Sequence, residues 1–276
     1  MSDQRRPPRS APRTAARSTA RPRRAPAASS AWDRQATWYD GWVGGQGSRY
    51  HQRIVLPVGL ELLDPREGEE ILDIGAGQGV LAPKVVRAGA RYTGVDASPR
   101  LIEAARRRHG RAGRFVVGDA RRLSALRELR QGGYDAAVFM LSIQDMDPLG
   151  PVFDSLDWAL RPASRVVIVM THPAFRQPRH SGWGYDEGRK LTYRRIDAYL
   201  TPMAVPMGAV GGSAPTRSYH RPLSDYVNGL AAHGFALDAL REPGDLPEAD
   251  RPGRRPARGN ADAEIPLFLA LRARRG

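Results

Sequence analysis

Short apolar, β-branched runs alternate with longer segments of helical periodicity along the middle of the chain. Residues 70–74, 91–95, 114–117, 134–140 and 165–170 predict strands, and 79–88, 99–109, 121–130 and 149–161 predict the helices between them. Alternation of this kind predicts an α/β fold, a largely parallel sheet with helices on both faces, because parallel neighbours need a crossover and a helix supplies one that buries a sheet face. After the fifth strand the rhythm stops over 172–221, a polar and aromatic stretch with five prolines that is too long for an ordinary connection and predicts a lid or binding insertion. A helix resumes over Leu223–Ala232, closed by His233 and Gly234, and strands follow at Phe235–Leu240 and Ile265–Leu271. No helical pattern separates the last two strands, so they are free to pair antiparallel. Ahead of the sheet, Trp32, Trp38, Tyr39, Trp42 and Tyr50 lead into Ile54, Leu56, Val58, Leu60, Leu62 and Leu63, a helical cap.

These elements divide the 276 residues into five stretches. They are a tail at 1–31, a helical cap at 32–66, a core at 67–171, the insertion at 172–221, and a closing helix with two strands at 222–276. The tail holds arginine, proline, alanine and serine with almost nothing to bury, which predicts disorder, and the Pro-, Gly- and Arg-rich segment 243–262 predicts a mobile surface loop.

Charge changes this picture less than its size implies. The net charge is +14, but eight arginines against Asp3 alone put half of it in residues 1–31. Lys84 and Lys190 are the only lysines, a skew that arginine-rich genome composition produces without selection for nucleic-acid binding. Cysteine is absent, which excludes disulfides, thiolate metal sites and cysteine nucleophiles, and with them transfer to cytosine C5. No apolar stretch approaches the ~20 residues of a membrane span, and the start of the chain lacks the apolar region of a secretory signal, so a cytoplasmic protein is expected.

The chemistry begins at Ile71-Leu72-Asp73-Ile74-Gly75-Ala76-Gly77-Gln78-Gly79, where a predicted strand turns through glycines into a helix. Such a turn lets backbone approach a ligand without Cβ interference, and alone it indicates only a nucleotide-like cofactor. Three details separate it from a dinucleotide fingerprint. Val80 stands where the third dinucleotide glycine belongs, and Asp73 puts negative charge where a diphosphate is unwelcome but a sulfonium with an ammonium group is tolerated. Asp96 ends the second strand, where a carboxylate can accept from both ribose hydroxyls, and Asp119 follows the third. Asp96 and Asp119 also read as helix N-caps, and Asp73 as a loop-holding acceptor.

LDIGAGQG, GVDAS, VVGDA and YDAAVFM in succession resemble the motifs of class I S-adenosylmethionine-dependent methyltransferases, in particular the small-molecule branch called methyltransferase type 11. The resemblance covers roughly 31–272. It implies a Rossmann-like seven-stranded sheet, mostly parallel with an antiparallel C-terminal strand, and S-adenosyl-L-methionine as cofactor. It further implies that Gly75 and Gly77 approach the methionine portion and that Asp96 binds the ribose, with Asp73, Ala76 and Ala97 among the cofactor-binding residues. Asp119 and Ala120 are implied at adenine, and Met140 and Leu141 beside the methyl group. The stretches Thr171-His172-Pro173 and His220 to Tyr226 also resemble segments of this branch, without a fixed role.

Methyl transfer needs alignment, and a base only when the acceptor carries a proton. His172, directly after the fifth strand, is the first candidate base, with Gln144, Asp145, Asp147 and His220 near the same edge. A local loop contact is the alternative for His172. Trp38, Tyr39 and Trp42, with Ser48, Tyr50 and His51, either close over the sulfonium or pack a cap helix. No metal is expected, because the acid–Asn pair of a catechol-type site is replaced by Thr171-His172. The expected partner is a small-molecule acceptor. An RNA methyltransferase anchored by the basic tail, a nicotinamide-dependent oxidoreductase and a non-catalytic binder of the cofactor are the competing readings.

Overall fold

Each β-branched run of the first half forms a strand, and the apolar alternation inside each run decides which face its side chains cover. The computed structural model describes residues 31–207, 216–244 and 261–276. The predicted tail and most of the predicted 243–262 loop lie outside these, as do the side chains of Trp38, Tyr39 and Trp42. Helix α1 (Ala31–Val43) is followed by a π-helical turn (His51–Val55) that runs directly into α2 (Leu56–Leu63). Then come β1 (Glu70–Ile74), α3 (Ala82–Arg87), β2 (Arg91–Asp96), α4 (Pro99–His109), β3 (Arg114–Val117) and β4 (Tyr134–Met140). The core closes with α5 (Gly150–Ala159) and β5 (Leu160–Thr171). Four strands fill the insertion: β6 (Ser181–Asp186), β7 (Leu191–Ile196), β8 (Met203–Pro206) and β9 (Arg217–His220). The C-terminal part consists of α6 (Leu223–Ala232), β10 (Phe235–Arg241), α7 (Ala261–Glu264) and β11 (Phe268–Arg275).

Seven strands form one sheet in the order β10-β11-β5-β4-β1-β2-β3. Strands β1 to β5 pair in parallel, and β11 runs antiparallel between β5 and β10. The expected α/β sheet with its antiparallel C-terminal strand is therefore the observed one. The chain runs outward from β1 through β2 to β3 and then crosses back to β4 on the other side of β1, so a crevice opens beyond the carboxyl ends of β1 and β4. Period-two alternation sorts the strands: Leu72, Ile74, Ala137 and Phe139 pack beneath α5 and α6, while Ile71, Ala136, Val138 and Met140 pack with α2 and α3. Buried Arg165 ties the foot of the sheet together, donating to the Leu63 and Asp64 carbonyls and to both oxygens of Glu69.

Two predicted helices change. The 79–88 helix starts only at Ala82, because Gly75, Gly77 and Gly79 all take positive φ and hold the preceding residues in a turn. The 121–130 helix is replaced by a kinked 3-10 segment, Ala120–Ala125. Its apolar residues Leu123, Leu126 and Leu129 recur every third position, and Leu126 and Leu129 donate to the carbonyls three residues back, the 3-10 pattern. The last strand also extends to Arg275, past the predicted apolar run, because Asp238 on β10 accepts from Arg272 and Arg274 and keeps the charged end paired. The insertion is built of two antiparallel pairs, β6 with β7 and β8 with β9.

Candidate active site

The glycine turn is fixed by backbone and carboxylate together. Gly75 and Ala76 both donate to the Val95 carbonyl, at 2.8 and 3.0 Å, which locks the turn to the end of β2. A Cβ on Gly75, whose φ is +77°, would stand 2.4 Å from Ser142 Cβ, and one on Gly79 (φ +79°) 2.6 Å from the Phe115 ring. Glycine at these positions is thus required by both conformation and space. Ser142 closes the turn from the other side, donating to the Ile74 carbonyl at 2.6 Å.

Asp96 reaches the turn from β2. Its Oδ2 accepts from the Gly77 amide at 2.9 Å and its Oδ1 from the Ser98 amide at 2.8 Å. Burial raises its pKa, and those two amides oppose the rise. Both oxygens thus hold the loop, and each keeps a second lone pair. Ser98 caps α4 as the sequence indicates, accepting from the Leu101 amide, and also donates to Asp33 of α1.

Asp73 is buried on β1. The Tyr92 hydroxyl donates to its Oδ2 at 2.7 Å, whereas Oδ1 is enclosed and meets no donor among the described residues. Burial pushes its carboxyl up to about 7, with the Tyr92 hydrogen bond opposing and the Asp96 charge adding to the rise. An enclosed carboxylate oxygen without a donor, behind a cradle that a Cβ would fill, fits a cofactor that brings its own ammonium group.

Asp119 is arranged otherwise than an open adenine acceptor. It caps the 3-10 segment through the Arg121 amide, and the Arg121 guanidinium covers both its oxygens at 2.7 to 3.1 Å. Burial works against ionisation, but Arg121 outweighs it and holds the carboxyl below the usual range. Ala120 begins that segment, and Ala97 is exposed beside Asp96. Met140 turns its side chain into the core, with its Cε 2.7 Å from the point where a Cβ on Gly59 would stand. Leu141 follows with φ +56° and is half-buried at the crevice.

His172 proves to be a clamp. Its Nδ1 accepts from the Ala174 and Phe175 amides, so the proton sits on Nε2 and points to Glu242 Oε1 at 2.9 Å. Burial lowers its pKa, with Glu242 opposing. Both nitrogens are committed, which removes the geometry a general base needs. His220 is arranged differently: Nε2 donates to the Tyr199 carbonyl at 2.7 Å, leaving Nδ1 as the unprotonated nitrogen, and the residue lines a cavity with Gln144, Thr171 and Tyr226. Asp145 lies close to Ser218 and Asp96; burial pushes its carboxyl up to about 8, the Ser218 hydrogen bond opposing and the Asp96 charge adding to the rise. His51 is buried against Ser48 at 2.9 Å, and burial lowers its pKa to about 4.

Contacts that the sequence does not announce complete the site. Gln78, inside the glycine run, donates to the Gly44 carbonyl and accepts from Arg108, joining cap, turn and α4. Its position in GAGQG was the available signal. Arg221 joins β9 to the loop after β4 through the Met146 carbonyl and Asp147, a contact across 74 residues that no local pattern encodes. Among the described residues, no three His, Asp or Glu side chains gather to hold a metal ion, and no helix is long and apolar enough to cross a membrane.

Sheet order, glycine turn and the acids on β1, at the end of β2 and after β3 together form a Rossmann-like α/β domain with a crevice of the kind that holds a nucleotide-like cofactor. Residues 71–163 match the family described as a methyltransferase domain. A ubiquinone biosynthesis O-methyltransferase of Xylella fastidiosa is 28% identical over 142 residues, 49% of this chain and 56% of that protein. A demethylmenaquinone methyltransferase of Tropheryma whipplei is 30% identical over 118 residues, 41% of this chain and 46% of that one. The chain thus spans about half the length of these relatives. In fold it is similar to an S-adenosylmethionine-dependent methyltransferase from Mesorhizobium loti, with TM-score 0.65, 24% identity, and coverage of 79% of this chain and 96% of that one.

Proposed function

We propose that the chain transfers a methyl group from S-adenosylmethionine to a small-molecule acceptor. The enclosed Oδ1 of Asp73, lacking a donor behind the glycine turn, carries this reading, because a cationic cofactor end supplies what that oxygen lacks. When bound, the cofactor supplies an electrophilic methyl group open to in-line displacement. Asp73 holds the ammonium end, Gly75, Ala76 and Gly77 lie along it, and Asp96 accepts from the ribose while keeping the Gly77 amide in place. Asp119 reaches adenine once Arg121 turns aside, with Ala120 beside it; Ala97 borders the ribose, and Leu141 and the backbone of Met140 border the reacting carbon.

His220, rather than His172, is the candidate base. Its Nδ1 is the lone pair that can hold an acceptor's proton, while the Tyr199 carbonyl fixes the tautomer. The small-molecule names of the relatives support the acceptor class. Calorimetric titration with S-adenosylhomocysteine and with NADH tests the reading. Binding of the first at about micromolar Kd or tighter is expected, weakened roughly tenfold or more by Asp96→Ala. Binding of NADH alone would overturn it.

A further inference from the structure

The segment after β4 is pinned at the cofactor crevice from several sides. Ser142 donates to the Ile74 carbonyl, and Met146 Cε stands 3.1 Å from the point that a Cβ on Gly75 would occupy, so 142–146 lie against the glycine turn. Arg121 donates to the Asp147 carbonyl from the Asp119 side, and Arg221, at the end of β9, donates to the Met146 carbonyl and to Asp147 Oδ1. Asp145 ends the 3-10 turn (Ile143–Asp145) inside this segment. Its carboxyl accepts a hydrogen bond from Ser218 on β9 and lies close enough to Asp96, at the end of β2, to feel that charge. Among the described residues no cation pairs with it. Arg121 is committed to Asp119 and the Asp147 carbonyl, and Arg221 to Met146, Asp147 and the Tyr226 hydroxyl. The other titratable groups around Asp145 are Asp96, Tyr226 on α6, and His220, which shares the Ser218 face of β9; the carboxyl half of β5, 166–171, presents none.

The three acids of the crevice meet different parts of a cofactor. Asp73, whose enclosed Oδ1 lacks a donor, lies behind the glycine turn on the methionine side, and Asp96 holds Gly77 on the ribose side. Sulfur is the atom that joins the methionine chain to the ribose, and it carries positive charge in S-adenosylmethionine but none in S-adenosylhomocysteine. A carboxylate beside a sulfonium regains by Coulomb attraction what it loses by leaving water. Resting on the methyltransferase reading above, we propose that Asp145 makes this chain distinguish S-adenosylmethionine from S-adenosylhomocysteine: its carboxylate, held by Ser218 beside the glycine turn and Asp96, pairs with the sulfonium. Methyl transfer breaks the bond between sulfur and the methyl carbon and leaves the electron pair on sulfur. The cation is then gone, and the carboxylate takes up a proton from solvent. Burial favours that proton, pushing the free carboxyl up to about 8, with Ser218 opposing and the Asp96 charge adding to the rise. The product thereby loses a contact that the substrate has, which favours its release.

The test compares ligands on the full chain. Asp145→Asn keeps the size of the side chain and an acceptor for Ser218. In this variant S-adenosylmethionine is expected to bind roughly tenfold or more weaker, as the loss of a contact between opposite charges implies, with S-adenosylhomocysteine within about twofold of wild type. That second affinity shows that the fold is intact. Sinefungin, which carries an ammonium group on carbon in place of the methylated sulfur, is expected to weaken as S-adenosylmethionine does. In wild type at about pH 6.5, S-adenosylmethionine is expected to release up to about one more proton than S-adenosylhomocysteine, read by calorimetry in buffers of different ionisation enthalpy. The ammonium end that meets Asp73 is common to both ligands, so the difference belongs to Asp145, and Asp145→Asn should remove it. Equal losses of affinity for both ligands, an unchanged S-adenosylmethionine affinity in Asp145→Asn, sinefungin following S-adenosylhomocysteine, or equal proton release in wild type would overturn the inference and leave the methyltransferase reading standing. Failure of the wild type to bind either ligand would overturn that reading, and with it this one.

Discussion

Asp73 illustrates how a single enclosed carboxyl links stability to binding. Above the ordinary carboxyl range near pH 4 the unfolded chain has released this proton, while the folded chain holds it until about pH 7. The folded state therefore binds more protons across that window, and stability falls as pH rises through it, then levels off. Asp145, pushed up to about 8, contributes with the same sign. Asp73→Asn keeps an acceptor for the Tyr92 hydroxyl and removes the charge. Thermal unfolding between pH 4 and 8 is expected to show a shallower loss of stability in this variant, by on the order of a few kcal/mol at the upper end. A cationic cofactor end favours the ionised form, so binding near pH 6 should release a proton, measurable by calorimetry in buffers of different ionisation enthalpy, and Asp73→Asn should abolish that release. The two histidines divide in the same manner. If the acceptor carries a proton, His220→Ala should lower turnover by about 100-fold or more. His172→Ala should retain the pH dependence of turnover and lower thermal stability, because it releases the Glu242 contact and the turn at 174–175. Turnover against pH for both variants decides between them.

At the scale of elements, the glycine turn, the end of β2 and the segment after β4 behave as one unit. Gly75 touches Ser142, Ser142 holds Ile74, and Asp96 holds Gly77. Gly75→Ala forces both a disfavoured φ and a displaced Ser142, so a loss of about 2 kcal/mol or more is expected, with weakened S-adenosylhomocysteine binding. Gly79→Ala meets only the Phe115 ring edge and the Ala105 methyl and lies a turn farther along the chain. A comparable loss of stability with a smaller effect on affinity is expected there. Urea unfolding and calorimetry on the two variants separate the effects, and equal losses of affinity would count against the unit.

Across the whole molecule, Gln78 reaches from the turn to Gly44 in the loop after α1 and to Arg108 on α4, so cap and cofactor crevice share a side chain. Gln78→Ala should speed S-adenosylhomocysteine release by roughly tenfold, read by stopped-flow fluorescence, because the loss of two hydrogen bonds loosens the cap over the crevice. Much of the molecule was legible beforehand. The five parallel strands, the glycine turn, the acids at 73, 96 and 119 and the cap at Ser98 are local in origin, each set by alternation, by backbone freedom or by the geometry of a strand end. Their meeting at one sheet edge follows from the parallel topology that the same rhythm implies. The 3-10 segment at 120–125 departs from the predicted helix because its apolar residues repeat every three positions. The roles of side chains were not legible in this way. His172 looked like a base until the Ala174 and Phe175 amides and Glu242, 70 residues on, took both its nitrogens. Asp119, implied at adenine and also readable as a cap, caps the 3-10 segment and is covered by Arg121. By itself the sequence determined the sheet, the turn and the acids around them, because periodicity and glycine act over a few residues. Only the tertiary structure decided which histidine keeps a usable nitrogen and which carboxyl of the crevice is left without a cation, because each depends on partners brought together by packing across long stretches of chain.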